Sequence, residues 1–155
     1  MEQLTYRGVV YPWHCDHMGH MNVMWYTGKF DEASWHFFGS LGLGVGWLRA
    51  RGRGMAAVEQ TIEYRRELHA GDLVSIYTRL LEIKPKTLRF IHDMRRQDNG
   101  GTAATSTLVA VHLDTELRKA CPFPDELADT WRATLLERHG ESARARRGAA
   151  NAAPA

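Results

Sequence analysis

The chain has 155 residues, 44% of them hydrophobic and 25% charged, enough for one domain with a real core. Its net charge of +2 sits in the segment Gly140 to Ala155, where Arg144, Arg146 and Arg147 outnumber Glu141, so the body is near neutral and lacks the basic face of a nucleic-acid protein. No apolar run approaches the roughly 18 residues of a membrane span, and two cysteines without a leader-like segment lead to the expectation of free thiols in the cytoplasm.

Leu4 to Tyr11 is predicted to be a strand that stops or bulges at Pro12, because proline withholds a ladder N–H. The stretch His14-Cys15-Asp16-His17-Met18-Gly19-His20-Met21-Asn22 then packs ionisable residues beside a glycine, directly before a helical run. That run, Val23 to Gly39, places Tyr26, Phe30, Ala33 and Phe37 on one face and Lys29, Glu32 and His36 on another, with Asn22 as N-cap and Gly39 as stop. Its further aromatics, Trp25, Trp35 and Phe38, predict burial on more than one side. Gly39 to Gly46 is glycine-rich but follows a helix, whereas phosphate loops follow a strand and open a helix, so it is read as a connection. A short helical turn, Gly46 to Arg51, comes next.

From Met55 the period changes to two. Ala56, Val58, Ile62, Tyr64 and Leu68 are expected on one face, interrupted by Gln60, and Glu59, Thr61, Glu63, Arg65 and Glu67 on the other. Further strands are expected over Leu73 to Ile83, Thr87 to Gln97 and Thr102 to Leu113, separated by turns at Gly71-Asp72, Pro85 and Asn99-Gly100-Gly101. Pro122 to His139 is predicted to be a final helix with Leu127, Trp131, Thr134 and Leu135 on its packed side. Gly140 to Ala155 has no large apolar residue and is expected to be disordered, which leaves residues 1–139 as the single domain. One long helix packed on a largely antiparallel meander is an α+β architecture.

The stretch before the helix carries the chemistry. A helix start offers unpaired N–H groups and the positive end of the macrodipole, so an acid just ahead of it can act on a carbonyl those groups polarise. Asp16 is that acid, and Gly19 permits a positive φ or a close backbone approach. A metal reading has candidates in His14, Cys15, Asp16, His17 and His20, but no second Cys/His cluster completes a zinc site, and no metal is expected.

The pattern Asp16-x-x-Gly19-His20-x-Asn22, followed by Tyr26, Phe30 and Glu32-Ala33, and later by Tyr64-x-Arg66-x-Leu68-x-x-Gly71-Asp72, resembles the 4-hydroxybenzoyl-CoA thioesterase family of hot-dog-fold acyl-CoA hydrolases. The resemblance runs from Leu4 to Leu113. It implies a sheet wrapped around a long central helix, an acyl-CoA substrate with no further cofactor, and a homodimer or tetramer of dimers with sites at the subunit interface. It also implies that Asp16 is the nucleophile or the general base, and that the backbone at Val23, with Gly19 and His20 close by, holds the thioester carbonyl. Several family members carry a histidine or tyrosine where this chain has Val23, so only a backbone role transfers to that position.

A thiolate leaves readily, so one carboxylate and one or two N–H donors suffice for thioester hydrolysis. His20 can orient Asp16 or line the pocket, and Asn22 is a helix cap first and a pocket residue second. Glu59 is a secondary carboxylate whose parity favours a solvated or interface face. Arg65, Arg66 and Arg89 are expected to serve the CoA phosphates. Trp13, Trp25, Tyr26, Trp35 and Trp47 are read mainly as core and dimer packing. The sharper reading is an aromatic pocket for an aryl or quaternary-ammonium acyl group, with Trp13 and Tyr26 as candidates. The rivals are a non-catalytic protein of the same fold that binds acyl-CoA or acyl carrier protein, and a dehydratase using His20.

Overall fold

A computed structural model describes residues 2–135. The order of elements is β1 (Gln3–Val9), a 3-10 turn (Pro12–His14), α1 (Val23–Ser40), α2 (Val45–Ala50), β2 (Arg53–Tyr64), β3 (Leu73–Ile83), β4 (Thr87–Arg96), β5 (Thr102–Asp114), β6 (Lys119–Ala120) and α3 (residues 125–135). All strands form one antiparallel sheet in the order β1-β3-β4-β5-β2, with β6 folding back on the end of β5. The consecutive strands β3, β4 and β5 are the expected meander, while β1 and β2 flank it.

Alternation explains the sheet. Leu88, Phe90, His92 and Met94 of β4 are buried, and so are Ala104, Ser106, Leu108, Ala110 and His112 of β5. This inner face receives Tyr26, Phe30, Ala33 and Phe37 of α1, the four residues that share one helical stripe. Register shifts at Leu4/Tyr6, Ala57/Glu59, Leu80/Glu82 and Met94/Arg95 bend the strands, and the sheet curls over the helix.

A polar chain crosses this core. Ser34 Oγ donates to the Phe30 carbonyl and lies 2.9 Å from His92 Nε2, and His92 Nδ1 lies 2.6 Å from Thr78 Oγ1. Thr78 in turn meets Thr5 Oγ1 at 2.6 Å. Because Ser34 uses its own hydrogen on Phe30, His92 donates from Nε2 and accepts at Nδ1 from Thr78, which makes it the neutral tautomer.

The structure departs from the sequence expectations at several points. The bulge at Val58 shifts the parity of β2, so Met55 and Ala57 oppose the inward His112 and Ala110, while Ala56 turns outward. Gln60, which breaks the apolar pattern, faces inward and donates to Ser106 Oγ at 3.1 Å. The glycine that ends α1 is Gly42, not Gly39: its φ is +85°, its N–H bonds the Gly39 carbonyl and the Leu43 N–H bonds the Phe38 carbonyl. Lys29, on the second helical face, is buried, its ammonium donating to the Tyr6 hydroxyl at 2.9 Å. In α3, Trp131 is buried and its indole donates to the Leu41 carbonyl, but Thr134 is exposed. The end of the predicted final helix and the predicted disordered tail lie outside the described residues.

Candidate active site

The segment from Cys15 to Met21 folds back on itself through a β-bridge between those two residues. The Gly19 N–H closes the turn on the Asp16 carbonyl at 3.0 Å, with Gly19 at φ +83°. The Asp16 N–H bonds the His20 carbonyl at 3.2 Å. Gly19 therefore shapes the turn, and its N–H is engaged within it.

The second half of the sequence pattern anchors the first. The Met21 N–H donates to the Leu68 carbonyl at 2.7 Å. Val10 and the Gly71-Asp72 turn exchange two backbone bonds, at 2.7 and 2.9 Å. The 3-10 turn adds a third support: His14 Nδ1 accepts from the Tyr11 N–H at 3.0 Å, and the His14 carbonyl accepts from the Asn22 N–H at 2.9 Å. Burial, reinforced by the Lys29 charge, holds the His14 pKa below the ordinary imidazole value, against an opposing pull from Glu32. The ring packs on Trp25, with centroids 4.4 Å apart.

Both oxygens of Asp16 are held. Oδ2 accepts from the Asn22 carboxamide at 2.8 Å, and Oδ1 accepts from the Met18 N–H at 2.9 Å. Those two donors, the Asn22 amide first, draw the carboxyl pKa below its usual value, with His20 and His17 adding a smaller pull. Asn22 also caps α1 by accepting from the Met24 N–H at 3.0 Å. The first N–H of the helix, that of Val23, donates to no group among the described residues.

Beside this helix start lies a cleft of about 380 Å³ lined by His20, Met21, Val23, Tyr26, Tyr64, Arg65, Arg66 and Glu67. Asp16 is not among the lining residues; it is tied to them by its N–H on the His20 carbonyl and by its side chain on Asn22, which directly precedes Val23. His20 Nε2 lies 3.7 Å from the Glu67 carboxylate. Tyr26 donates its hydroxyl toward the Arg66 carbonyl at 3.4 Å, and burial pushes its pKa up to about 12. A more apolar cleft of about 230 Å³ at the other end of α1, lined by Glu2, Phe37, Leu41, Leu80, Trp131 and Leu135 among others, has a carboxylate but lies at the end of α1 and not at its start.

Of the residues singled out from the sequence, His20, Val23, Tyr26, Arg65 and Arg66 thus line the cleft, and Asp16, Gly19 and Asn22 are bonded together in the turn that leads to it. Arg65 is paired with Glu63 at 2.6 Å. Glu59 and Arg89 are not brought there: both sit opposite Val109 on the outer face of the sheet, several residues along the strands from Tyr64. Trp13 is 65% exposed and stacks on Tyr11 ahead of the turn, outside the cleft. Trp25 packs on His14, Trp35 on Phe38, and Trp47 beside His112, which is the packing role expected of them. Tyr64, which enters the cleft against Tyr26, was read only as a strand residue of the pattern. Its two-residue spacing from Arg66 and four-residue spacing from Leu68 is the signal that ties it to the site. Among the described residues no three His, Cys, Asp or Glu side chains converge as a metal set.

The profile of the thioesterase-like superfamily matches residues 10–130. An Agrobacterium fabrum protein, L-carnitine dehydrogenase/betainyl-CoA thioesterase, is 31% identical over 112 residues, 72% of this chain, and the chain spans only 23% of that relative's length. Among solved structures, a Staphylococcus aureus protein in complex with CoA superposes with a TM-score of 0.78 at 23% identity, over 86% of this chain and 84% of that one. The DHNA-CoA thioesterase of Staphylococcus aureus gives 0.78 at 15% identity, over 90% and 95% of the two chains. Escherichia coli YbaW, a probable thioesterase, gives 0.71 at 23% identity, over 82% and 95%.

Proposed function

The chain belongs to the thioesterase-like superfamily and has its hot-dog fold, and from that premise we propose that it hydrolyses an acyl-CoA thioester to the free acid and CoA. The observation that carries the reading is Asp16. A carboxylate is held by two donors, and one of them, the Asn22 amide, belongs to the residue directly before the unengaged Val23 N–H that opens α1. The thioester carbonyl oxygen is placed at the Val23 N–H, which stabilises the charge developing there. Asp16 then acts in one of two ways. As a nucleophile it adds to the carbonyl carbon and expels the CoA thiolate, leaving a mixed anhydride that water opens. As a general base it takes a proton from the water that attacks. Neither route calls on a cofactor.

The cleft supports a small or medium acyl group. Its paired tyrosine rings suit an aryl group or the trimethylammonium of a betainyl group, since ring faces attract cations. The name of the Agrobacterium fabrum relative favours testing the betainyl ester first. Arg66, at the cleft and without an ion-pair partner among the described residues, is placed at the CoA phosphates together with Arg65. The working unit is a homo-oligomer: β2 pairs with β5 on one side only and exposes Val58 and Tyr64, so a second copy along that edge would extend the sheet and close the cleft. No helix among the described residues is long and apolar enough to cross a membrane; the cytoplasm is the proposed compartment.

Release of CoA thiol from benzoyl, betainyl and straight-chain CoA esters, measured for the wild type and Asp16→Asn, tests the reading. No turnover of any ester would favour the non-catalytic binder.

A further inference from the structure

Asn22 spends its two amide ends on two different structures. Its Oδ1 accepts from the Met24 N–H and caps α1, and its Nδ2 donates to Asp16 Oδ2. The cap decides the orientation. With the carbonyl end fixed on a helix N–H, which can only donate, the NH₂ end is the one left facing Asp16. The backbone of Asn22 is fixed as well, by its N–H to the His14 carbonyl at 2.9 Å. A flip of the carboxamide would set Oδ1 against a carboxylate oxygen and Nδ2 against a helix donor, breaking two bonds and opposing like partners. The start of the central helix therefore dictates which way the Asp16 carboxylate is turned.

We propose that Asn22 is the positioning residue for Asp16: the α1 cap fixes its carboxamide, and the carboxamide holds the carboxylate in one orientation, as an acceptor, from the position directly before Val23. This rests on the hydrolytic reading of Asp16 and assigns Asn22 a task apart from touching substrate. The other groups facing Asp16 are the Met18 N–H, which holds Oδ1, and the imidazoles of His17 and His20 on the same turn, with Glu67 behind His20. None of these is tied to the helix cap as Asn22 is.

Two substitutions separate holding Asp16 from capping the helix. Aspartate and serine cap helices about as well as asparagine, so both variants keep α1. Asn22→Asp replaces the donor with a second carboxylate, and two carboxylates sharing a site raise the pH of first protonation, here by about one unit or more. Asn22→Ser replaces the amide donor with a shorter hydroxyl and adds no charge. The experiment is a carbon-13 NMR titration of the Asp16 carboxyl in the full chain, beside kcat and KM for acyl-CoA hydrolysis and a thermal melt. The expected result is an upward-shifted Asp16 titration and acid limb of the pH–rate profile in Asn22→Asp. In Asn22→Ser, kcat falls by ~10-fold or more, as a slightly misplaced reacting group costs, with KM nearly constant. Both variants should melt close to the wild type. An unmoved Asp16 titration with unchanged kcat in the folded variants overturns the proposal. So does an activity loss that merely tracks loss of folded protein. Full turnover by Asp16→Asn would instead remove the hydrolytic reading, and the NMR titration would still report whether Asn22 holds the carboxylate.

Discussion

Tyr64, the last residue of β2, meets Tyr26 in the first turns of α1 edge to face, with ring centroids 5.1 Å apart. The two rings form an aromatic wall of the cleft beside Val23. Tyr26 is buried and its phenol stays protonated across any working pH, since its pKa is pushed up to about 12. Tyr64 is half exposed and contributes its ring without being needed by the core. Tyr64→Ala is therefore expected to raise KM for betainyl-CoA or benzoyl-CoA by roughly 3- to 10-fold, the equivalent of about 1 kcal/mol of ring contact. Straight-chain esters should be nearly unaffected. A variant that loses all esters equally would deny the rings a part in acyl selection.

Gly19 sits at φ +83° with open space where a Cβ would go. Substitution there meets backbone strain and no clash. Gly19→Ala should cost about 1–2 kcal/mol, focused on the turn that carries Asp16. Urea melts would report that loss, and kcat should fall more than KM rises. Gly28, at an ordinary φ on α1 with equally open space, is the control: Gly28→Ala should be neutral or slightly stabilising.

His92 links stability to pH. Burial between Ser34 and Thr78 lowers its pKa from 6.5 to about 3. A histidine held neutral by the fold binds its proton more weakly folded than unfolded. Its contribution is therefore fully present above pH 6.5 and is lost as pH falls from 6.5 toward 3. At about 1.4 kcal/mol per unit, the loss across that window is on the order of 4 kcal/mol. His14 and His112, also lowered by burial, add to it in the same direction. Denaturant midpoints at pH 8, 6, 5 and 4 should fall steadily, and His92→Gln should be less stable at pH 8 yet show a shallower slope. A flat wild-type profile between pH 7 and 4 would contradict this.

Much of the fold was legible because local pattern and global burial agree. The α1 stripe is written at helical spacing and is buried as written. Leu73 to Ile83 is bounded by turn residues and forms β3 with those limits. The site turn was legible from Asp16, Gly19 and Asn22, whose chemistry is local: a carboxylate, a positive φ and a cap. What escaped depends on partners distant in the chain. Gln60 looks misplaced in its strand until Ser106, 46 residues later, takes its amide. The burial of Lys29 depends on Tyr6, which meets its ammonium from β1. The bulge at Val58 is a register choice made with β5, and no alternation within β2 alone reveals it. Tyr64 becomes a site residue only when the end of β2 arrives over α1.

Asp16 is the residue on which hydrolysis most directly depends. Steady-state release of CoA thiol by the wild type and by Asp16→Asn, on the best ester of the panel, is the measurement. The geometry predicts that the variant melts near the wild type but loses ~10²-fold or more in kcat, the scale of a positioned acid–base or nucleophilic group. A folded Asp16→Asn that turns over within a factor of about three, a difference under 1 kcal/mol, would place the chemistry elsewhere.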